Sequence, residues 1–237
     1  MAVGTPGLPK GIAMEKFCYP SHMIEKRPDE CYDIYHSILL VTGDPRSLIM
    51  IDKGTDSIVF LDEDSKRVFK VKRLDTTKFL SNEGYVLLNI GYFSPLKIAP
   101  KVYAFNKYVV VMEYVEGTKF ESLPELGLSQ NELKRILCRI IRKAMLLDEL
   151  MVNHGQLSRA YRHIIIRTND HEPIFIDFGD STITRKPQNL TSVWSFLHNK
   201  GLLRVISEEI DSLDFARSLK KKEETAIKAL KEHCASC

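Results

Sequence analysis

Between Ser47 and Lys72 the apolar residues keep a period of two through three short runs, SLIMIDK, SIVFL and RVFKVK, separated by KGTD and DEDSK. Strand side chains alternate between faces, so each run predicts a short strand, and the polar breaks predict turns. Three such strands in succession make an antiparallel meander. The period then becomes helical in TTKFLSNEGYVLLNI, where Phe79, Leu80, Val86, Leu87 and Ile90 share a spacing of three and four. It returns to two in KVYAF and YVVVMEYV, which Asn106 and Lys107 join. This order of three strands, one helix and two strands is the strongest constraint on the fold.

Downstream, Leu133, Ile136, Leu137, Ile140, Ile141, Ala144 and Leu147 trace one face of a long helix behind a capping-box start, Ser129 with Glu132. Two short strands, HIII and PIFIDF, follow a polar loop, and Asp180 onward reads as loops and two or three helices. Upstream, PDECYDIYHSILLV opens with Pro28, Asp29 and Glu30, places Ile34, Ile38 and Leu39 on one face, and is stopped by Gly43 and Pro45. The first 25 or so residues read as an irregular arm. The expected class is α+β: an arm and helix over 1–46, a small antiparallel-sheet lobe over 47–115, and a mainly helical lobe over 116–237. The boundary between lobes falls near Val115 to Thr118.

The 237 residues are 44% hydrophobic and 27% charged, the balance of an ordinary globular protein. No apolar run reaches the roughly 18 residues of a membrane span, and MAVGTPGLPKGIAMEKF has no leader character, so the expected location is the cytoplasm, without a membrane partner. A net charge of +3 does not argue for nucleic acid, and SLKKKEE reads as a solvated helix face. Five cysteines at irregular spacing suit a reducing compartment, and no disulfide is expected to build the fold. Cys234 and Cys237 lack the two further ligands a zinc site needs, and the tail reads as frayed and functionally silent.

Phosphoryl transfer from a nucleotide asks a protein mainly for charge on the phosphates, a held metal and an acceptor in line. KGTDSIVF places Gly54, Thr55, Asp56 and Ser57 in a turn able to turn backbone N–H groups toward phosphate, although an ordinary hairpin turn reads the same way. Lys70 and Lys72 share a strand face. Lys70 is the better phosphate residue, because it puts apolar Val68 two positions earlier against a base, where Lys72 would put a charge. Glu83, the one acid in its helix, is the natural partner of Lys70. Glu113 and Val115, in MEYVEG, offer backbone groups to an adenine edge. Asp177, in IDFG at the exit of an apolar strand, can present a carboxylate to Mg²⁺. Each feature alone has a bland reading: solvated lysines, a surface acid, a polar strand end. Their order on elements of the right type does not.

In that order the chain resembles the protein-kinase-like fold. It is closest in texture to the RIO kinases and to the minimal kinase of the tRNA-modifying KEOPS complex, whose loops read HGDL or HADL, and it resembles predicted archaeal serine/threonine kinases with altered catalytic loops. The likeness covers about Ile51 to Thr182, including IAPKVYAF and MEYVEG. It implies an ATP-binding domain with serine/threonine kinase chemistry, using ATP and Mg²⁺, and an unidentified protein substrate or partner. Nucleic acid or ribonucleoprotein enters by family analogy only. The departures are specific. HGQL puts Gln156 where the family has its acid, and Tyr161 stands five residues on, where the family has a metal-holding asparagine. His163 precedes the strand as that asparagine does, which indicates a two-residue insertion. The metal candidates are therefore Asp177 and His163, with Mn²⁺ better suited than Mg²⁺ to an imidazole. The catalytic-loop candidates are Gln156, Asp180 as a stand-in base, and His154, whose role in the family is mainly structural. Arg159 and Arg162 read as solvated loop residues. An active atypical kinase, a pseudokinase, an ATPase-type switch and a small-molecule phosphotransferase all remain open at this stage.

Overall fold

The computed structural model describes residues 14–42, 45–221 and 223–235, which form two units: one runs through Gly84 and takes in Val102–Tyr114, the other comprises Tyr85–Lys101 and the chain from Val115. The first unit holds β1 (Ile49–Lys53), β2 (Ser57–Asp62), β3 (Arg67–Lys72), β4 (Val102–Phe105) and β5 (Val109–Glu113). They form an antiparallel sheet in the order β1-β2-β3-β5-β4, so the meander read from the sequence is present and β3 lies at its centre. In β3, Lys70 stands between Val59 of β2 and Val110 of β5.

One face of this sheet is closed by α1 (Pro28–Thr42), whose Cys31, Ile34, Tyr35 and Ile38 share a core with Ile58, Phe60, Phe69, Val71, Val109 and Val111. Leu39, expected on the same face, is 36% exposed, since it lies about 100° round the helix from Ile38. The stop at Gly43 lies outside the described residues, and Pro45 opens a short 3₁₀ turn. The described part of the arm, from Met14, is not irregular. It makes two 3₁₀ turns and sends Phe17 and Cys18 into the core, where Cys18 is disulfide-bonded to Cys31. The expectation of no disulfide fails because the arm folds back on α1, a contact that spacing along the chain does not encode.

The helix read over 76–90 begins at Ser81. α2 (Ser81–Phe93) leaves Phe79 outside it and exposed. In the second unit, α3 (Gln130–Glu149) starts at the expected capping box, with Ser129 and Glu132 bonded reciprocally, and buries the predicted stripe from Ile136 to Leu147. A three-stranded antiparallel sheet, β6 (Gly117–Lys119), β7 (Ile164–Arg167) and β8 (Pro173–Phe175), contains the two predicted strands and one that was missed. β6 has three residues, too few for a period, and its Gly117 lies so close to the Ile166 carbonyl that a Cβ there would sit 2.3 Å from the oxygen. Lys143 on the α3 face is buried and held low in pKa by burial, but its Nζ donates to the Pro173 carbonyl at 2.6 Å and pairs with Glu172, fixing α3 to the start of β8.

The chain ends in α4 (Asn189–Asn199), α5 (Leu213–Lys220) and α6 (Glu224–Ala235). The tail up to α6 is packed, contrary to the expectation of fraying: Cys234 is buried, its thiol is pushed up to about 11 by burial, and Arg142 donates to its carbonyl at 2.9 Å. Cys237 lies outside the described residues. Among the described residues no helix is long and apolar enough to cross a membrane.

Candidate functional site

In the first unit the two lysines of β3 are told apart by their partners. Lys72 is 1% exposed and its Nζ donates to Glu30 Oε1 at 2.6 Å, the Arg73 carbonyl at 3.0 Å and the Thr76 carbonyl at 2.7 Å, so its three protons are bound within the fold. Lys70 Nζ lies 3.0 Å from Glu83 Oε1 and 2.7 Å from Oε2. Glu83 is 1% exposed, and a carboxylate so buried needs a cation or a proton. Glu83 reaches Lys70 because the next residue of α2 is glycine: a Cβ on Gly84 would sit 2.1 Å from Phe105 Cγ, so only glycine lets α2 approach β4 this closely. No period or motif pointed to Gly84.

Val68 is buried, between Leu61 and Met112 in register. Glu113 closes β5 opposite Arg67, the Tyr114 amide donates to Lys66 at 3.0 Å, and Val115 is buried. The turn before β2 is fastened down: the Gly54 amide donates to Ser57 at 2.9 Å, Arg73 Nη1 donates to the Gly54 carbonyl at 2.9 Å, and Thr76 Oγ1 to Asp56 at 3.0 Å. The Gly54 N–H is thus used inside the turn.

In the second unit the loop Asn153 to Leu157 is pinned to the segment after Asp177. Asn153 and Thr182 exchange backbone hydrogen bonds at 2.8 and 2.9 Å. Gly155 has φ +84, and a Cβ there would lie 2.9 Å from the Asp180 carbonyl. Buried Asn189 ties the arrangement together: its Oδ1 accepts from the His154 amide at 2.9 Å, and its Nδ2 donates to Asp148 at 2.8 Å and to Val152 at 2.6 Å. Asp148 also accepts from the Asn189 amide at 2.8 Å, capping α4. Asn153, Gly155, Asp148 and Asn189 escaped the sequence reading. Only Gly155 carried a signal, as the middle of HGQ.

Within this frame Gln156 and Asp180 meet directly: Gln156 Nε2 donates to Asp180 Oδ2. A carboxylate only accepts, so the amide nitrogen faces it and the amide oxygen faces away. His154 is fully buried, with Nε2–H donating to the Ile176 carbonyl at 3.0 Å and its ring 4.5 Å from that of Phe178. Its pKa is lowered to about 4, first by burial and then by neighbouring His163. It is a neutral, structural imidazole at neutral pH. His163 follows an irregular 3₁₀ stretch, Leu157–Arg162, that kinks at Arg159, and its Nδ1 lies 3.7 Å from Asp177 Oδ2. Tyr161 stacks toward Phe196 of α4 with ring centres 6.3 Å apart. Asp177 has left-handed backbone, φ 65 and ψ 66, and its side chain is 45% exposed.

Mg²⁺ takes oxygen ligands, keeps several waters and is held by one or two carboxylates plus substrate phosphates. Exposed Asp177 fits such an ion. Among the described residues no group of three or more His, Cys, Asp or Glu side chains is placed to hold a metal by itself. His163 is a neighbour of Asp177, its Nδ1 3.7 Å from Oδ2, and its imidazole is a poor ligand for Mg²⁺. A small cavity lined by Met145, Asp148, Leu190, Leu219 and Ile227 includes none of the predicted site residues.

An antiparallel sheet whose central lysine pairs with a helix glutamate, and a second, mainly helical unit with an acid after a short strand, define an α+β protein of the RIO kinase-like fold. Residues 94–194 match the RIO domain, so this stretch of the chain is similar to the RIO-type atypical kinases. It is also similar to serine/threonine-protein kinase D of Synechocystis sp. (strain ATCC 27184 / PCC 6803 / Kazusa), with 26% identity over 106 residues, 43% of this chain and 20% of that protein. The match therefore spans about a fifth of that relative.

Proposed function

We propose that this kinase-like protein binds ATP with a divalent metal and transfers the γ-phosphoryl group to a serine or threonine hydroxyl of a protein. The observation that carries this reading is the Lys70–Glu83 pair, 2.7 Å apart with Glu83 buried. A buried acid that fixes one lysine beside apolar Val68, while Lys72 is wholly engaged elsewhere, suits charge held ready for phosphate. Asp177 would hold Mg²⁺ or Mn²⁺, and the bound ion would supply positive charge to offset that of the phosphates. Val68 would lie against the adenine, and the Glu113–Val115 backbone would meet its edge. Asp180, hydrogen-bonded by Gln156, is the acid available to take the acceptor proton, and His163 stands beside Asp177. Arg159 and Arg162 stay in solvent. The cytoplasm is the proposed location.

Incubation with ATP labelled at the γ-phosphate, with Mg²⁺ or Mn²⁺ and a generic protein acceptor, tests the reading. Label should appear on serine or threonine of the acceptor or of the protein itself, and Lys70→Met and Asp177→Ala should each abolish it. Labelling that survives both substitutions removes the proposal.

One observation favours a second reading, a pseudokinase or ATPase-type switch that binds nucleotide and presents a surface to a partner. The Gln156 amide occupies Asp180, which dampens the one candidate base in the loop. Nucleotide-dependent stabilisation without phosphoryl transfer, or phosphate release without an acceptor, would select this alternative.

A further inference from the structure

The outward side of α2 and the segment after it carry a run of exposed apolar side chains. Tyr85 is 60% exposed, Leu88 50%, Tyr92 81%, Phe93 63% and, just past the helix, Leu96 45%. Residues 85, 88 and 92 stand at i, i+3 and i+7, so they form one stripe, which Phe93 widens. Exposed single apolar residues are ordinary, but five contiguous ones are not. The stretch from Asn82 to Leu96 carries one ionisable acid, Glu83, and it faces inward to Lys70. In a chain that is 27% charged, this side has no exposed charge at all from residue 82 to residue 96.

We infer that this α2 stripe is an interface between two copies of the chain, packed about a twofold axis. Two arguments select a second copy over another partner. In a twofold contact each residue near the axis meets its own copy, so any charge there would face its like; the missing charges are what such symmetry requires and what a different partner would not. The area also suffices. At their stated exposures the five side chains offer about 600 Å² per copy, or about 1,200 Å² for a pair, the lower bound of a specific interface. Tyrosine and phenylalanine are the side chains that supply most energy at such contacts. Tyr92 and Phe93 already meet edge to face, 4.9 Å between ring centres. The inference does not depend on phosphoryl transfer.

Sedimentation equilibrium on the intact chain from about 1 to 100 µM tests it, a range that brackets the affinity expected of a small interface. Wild type should sediment as a dimer in the upper part of that range. Tyr92→Arg and Leu88→Lys, both at exposed positions, should keep the wild-type circular dichroism spectrum and melting profile. Each should raise the dimer dissociation constant about 30-fold or more, because every charge enters the contact twice. Lys228→Glu, on α6, should leave it unchanged. A wild-type monomer at 100 µM, including one that instead captures a different protein, overturns the inference, as does a dimer that withstands both charge substitutions. Loss of kinase activity with dimerisation intact would count against the functional proposal alone.

Discussion

Gln156 and His154 are neighbours in HGQL with opposite physical characters, and each gives a measurable prediction. Gln156 donates to Asp180, so Gln156→Asp does not simply restore the family's acid; it sets two carboxylates against each other. Like charges in contact raise the pKa of one of them, and the folded state is then disfavoured wherever both would be ionised. The variant should lose about 1 kcal/mol at pH 7, modest because the pair is partly solvated, and the loss should shrink below about pH 5, with no gain in turnover. A variant more active than wild type at an unchanged melting temperature would contradict this. His154 works in the other direction. Its folded pKa, about 4, lies below the unfolded value near 6.5. The unfolded chain therefore takes up a proton first as pH falls. The stability linked to this ring is complete above about pH 6.5, is lost as pH falls toward 4, and amounts to roughly 3 kcal/mol in all. Urea denaturation at pH 7 and pH 5 should differ by roughly 2 kcal/mol in wild type from this source, and the difference should disappear in His154→Gln. The resemblance of HGQL to the family's loop placed both residues in a loop of catalytic type and implied a mainly structural role for His154. It could not show the Gln156–Asp180 contact, because those residues are 24 apart and meet only through the Asn153–Thr182 bridge.

At the scale of elements, what was legible followed the period. β3 begins and ends where RVFKVK does, and α3 starts at its capping box, because alternation and capping are local and the sheet and helix obey them. What was not legible depends on close approach. Nothing in the period or motifs marked Gly84, yet its missing Cβ is what lets α2 approach Phe105 and Glu83 meet Lys70. Gly84→Ala should cost about 1–3 kcal/mol through overpacking against Phe105 and should also weaken nucleotide binding, since displacing α2 moves Glu83. Chemical denaturation and a nucleotide titration check both parts. A stabilised variant, as expected for alanine in an unhindered helix, would mean that α2 does not need this contact. The arm gives the same lesson. Phe17 and Cys18 lie in a stretch without periodicity, so nothing local marked them as core, but well before α1's buried face begins the chain already carries an anchor that the Cys18–Cys31 bond secures.

For the molecule as a whole, the proposal gives each unit one electrostatic role. Lys70, paired with Glu83 in the first, would supply charge to phosphate, and Asp177 in the second would hold the metal. The two roles are separable by thermodynamics. A ligand that binds only the folded state adds RT ln(1 + [L]/Kd) to stability, about 2.7 kcal/mol at a hundredfold excess over Kd. Measured in chelator, ATP should stabilise wild type through Lys70 alone, and adding Mg²⁺ should raise the stabilisation further. Lys70→Met should lose both effects. It also leaves Glu83 buried without its cation, so its unliganded stability should fall by about 3 kcal/mol, much of which Glu83→Gln in the same chain should recover. Asp177→Asn should keep the chelator response and lose only the Mg²⁺ increment, with little change in unliganded stability because its side chain is half in water. Were Asp177→Asn to erase ATP binding in chelator as well, Asp177 would be acting on the nucleotide or the loop rather than on the metal. The assignment of Asp177 as metal ligand would then fall, while that of Lys70 would stand.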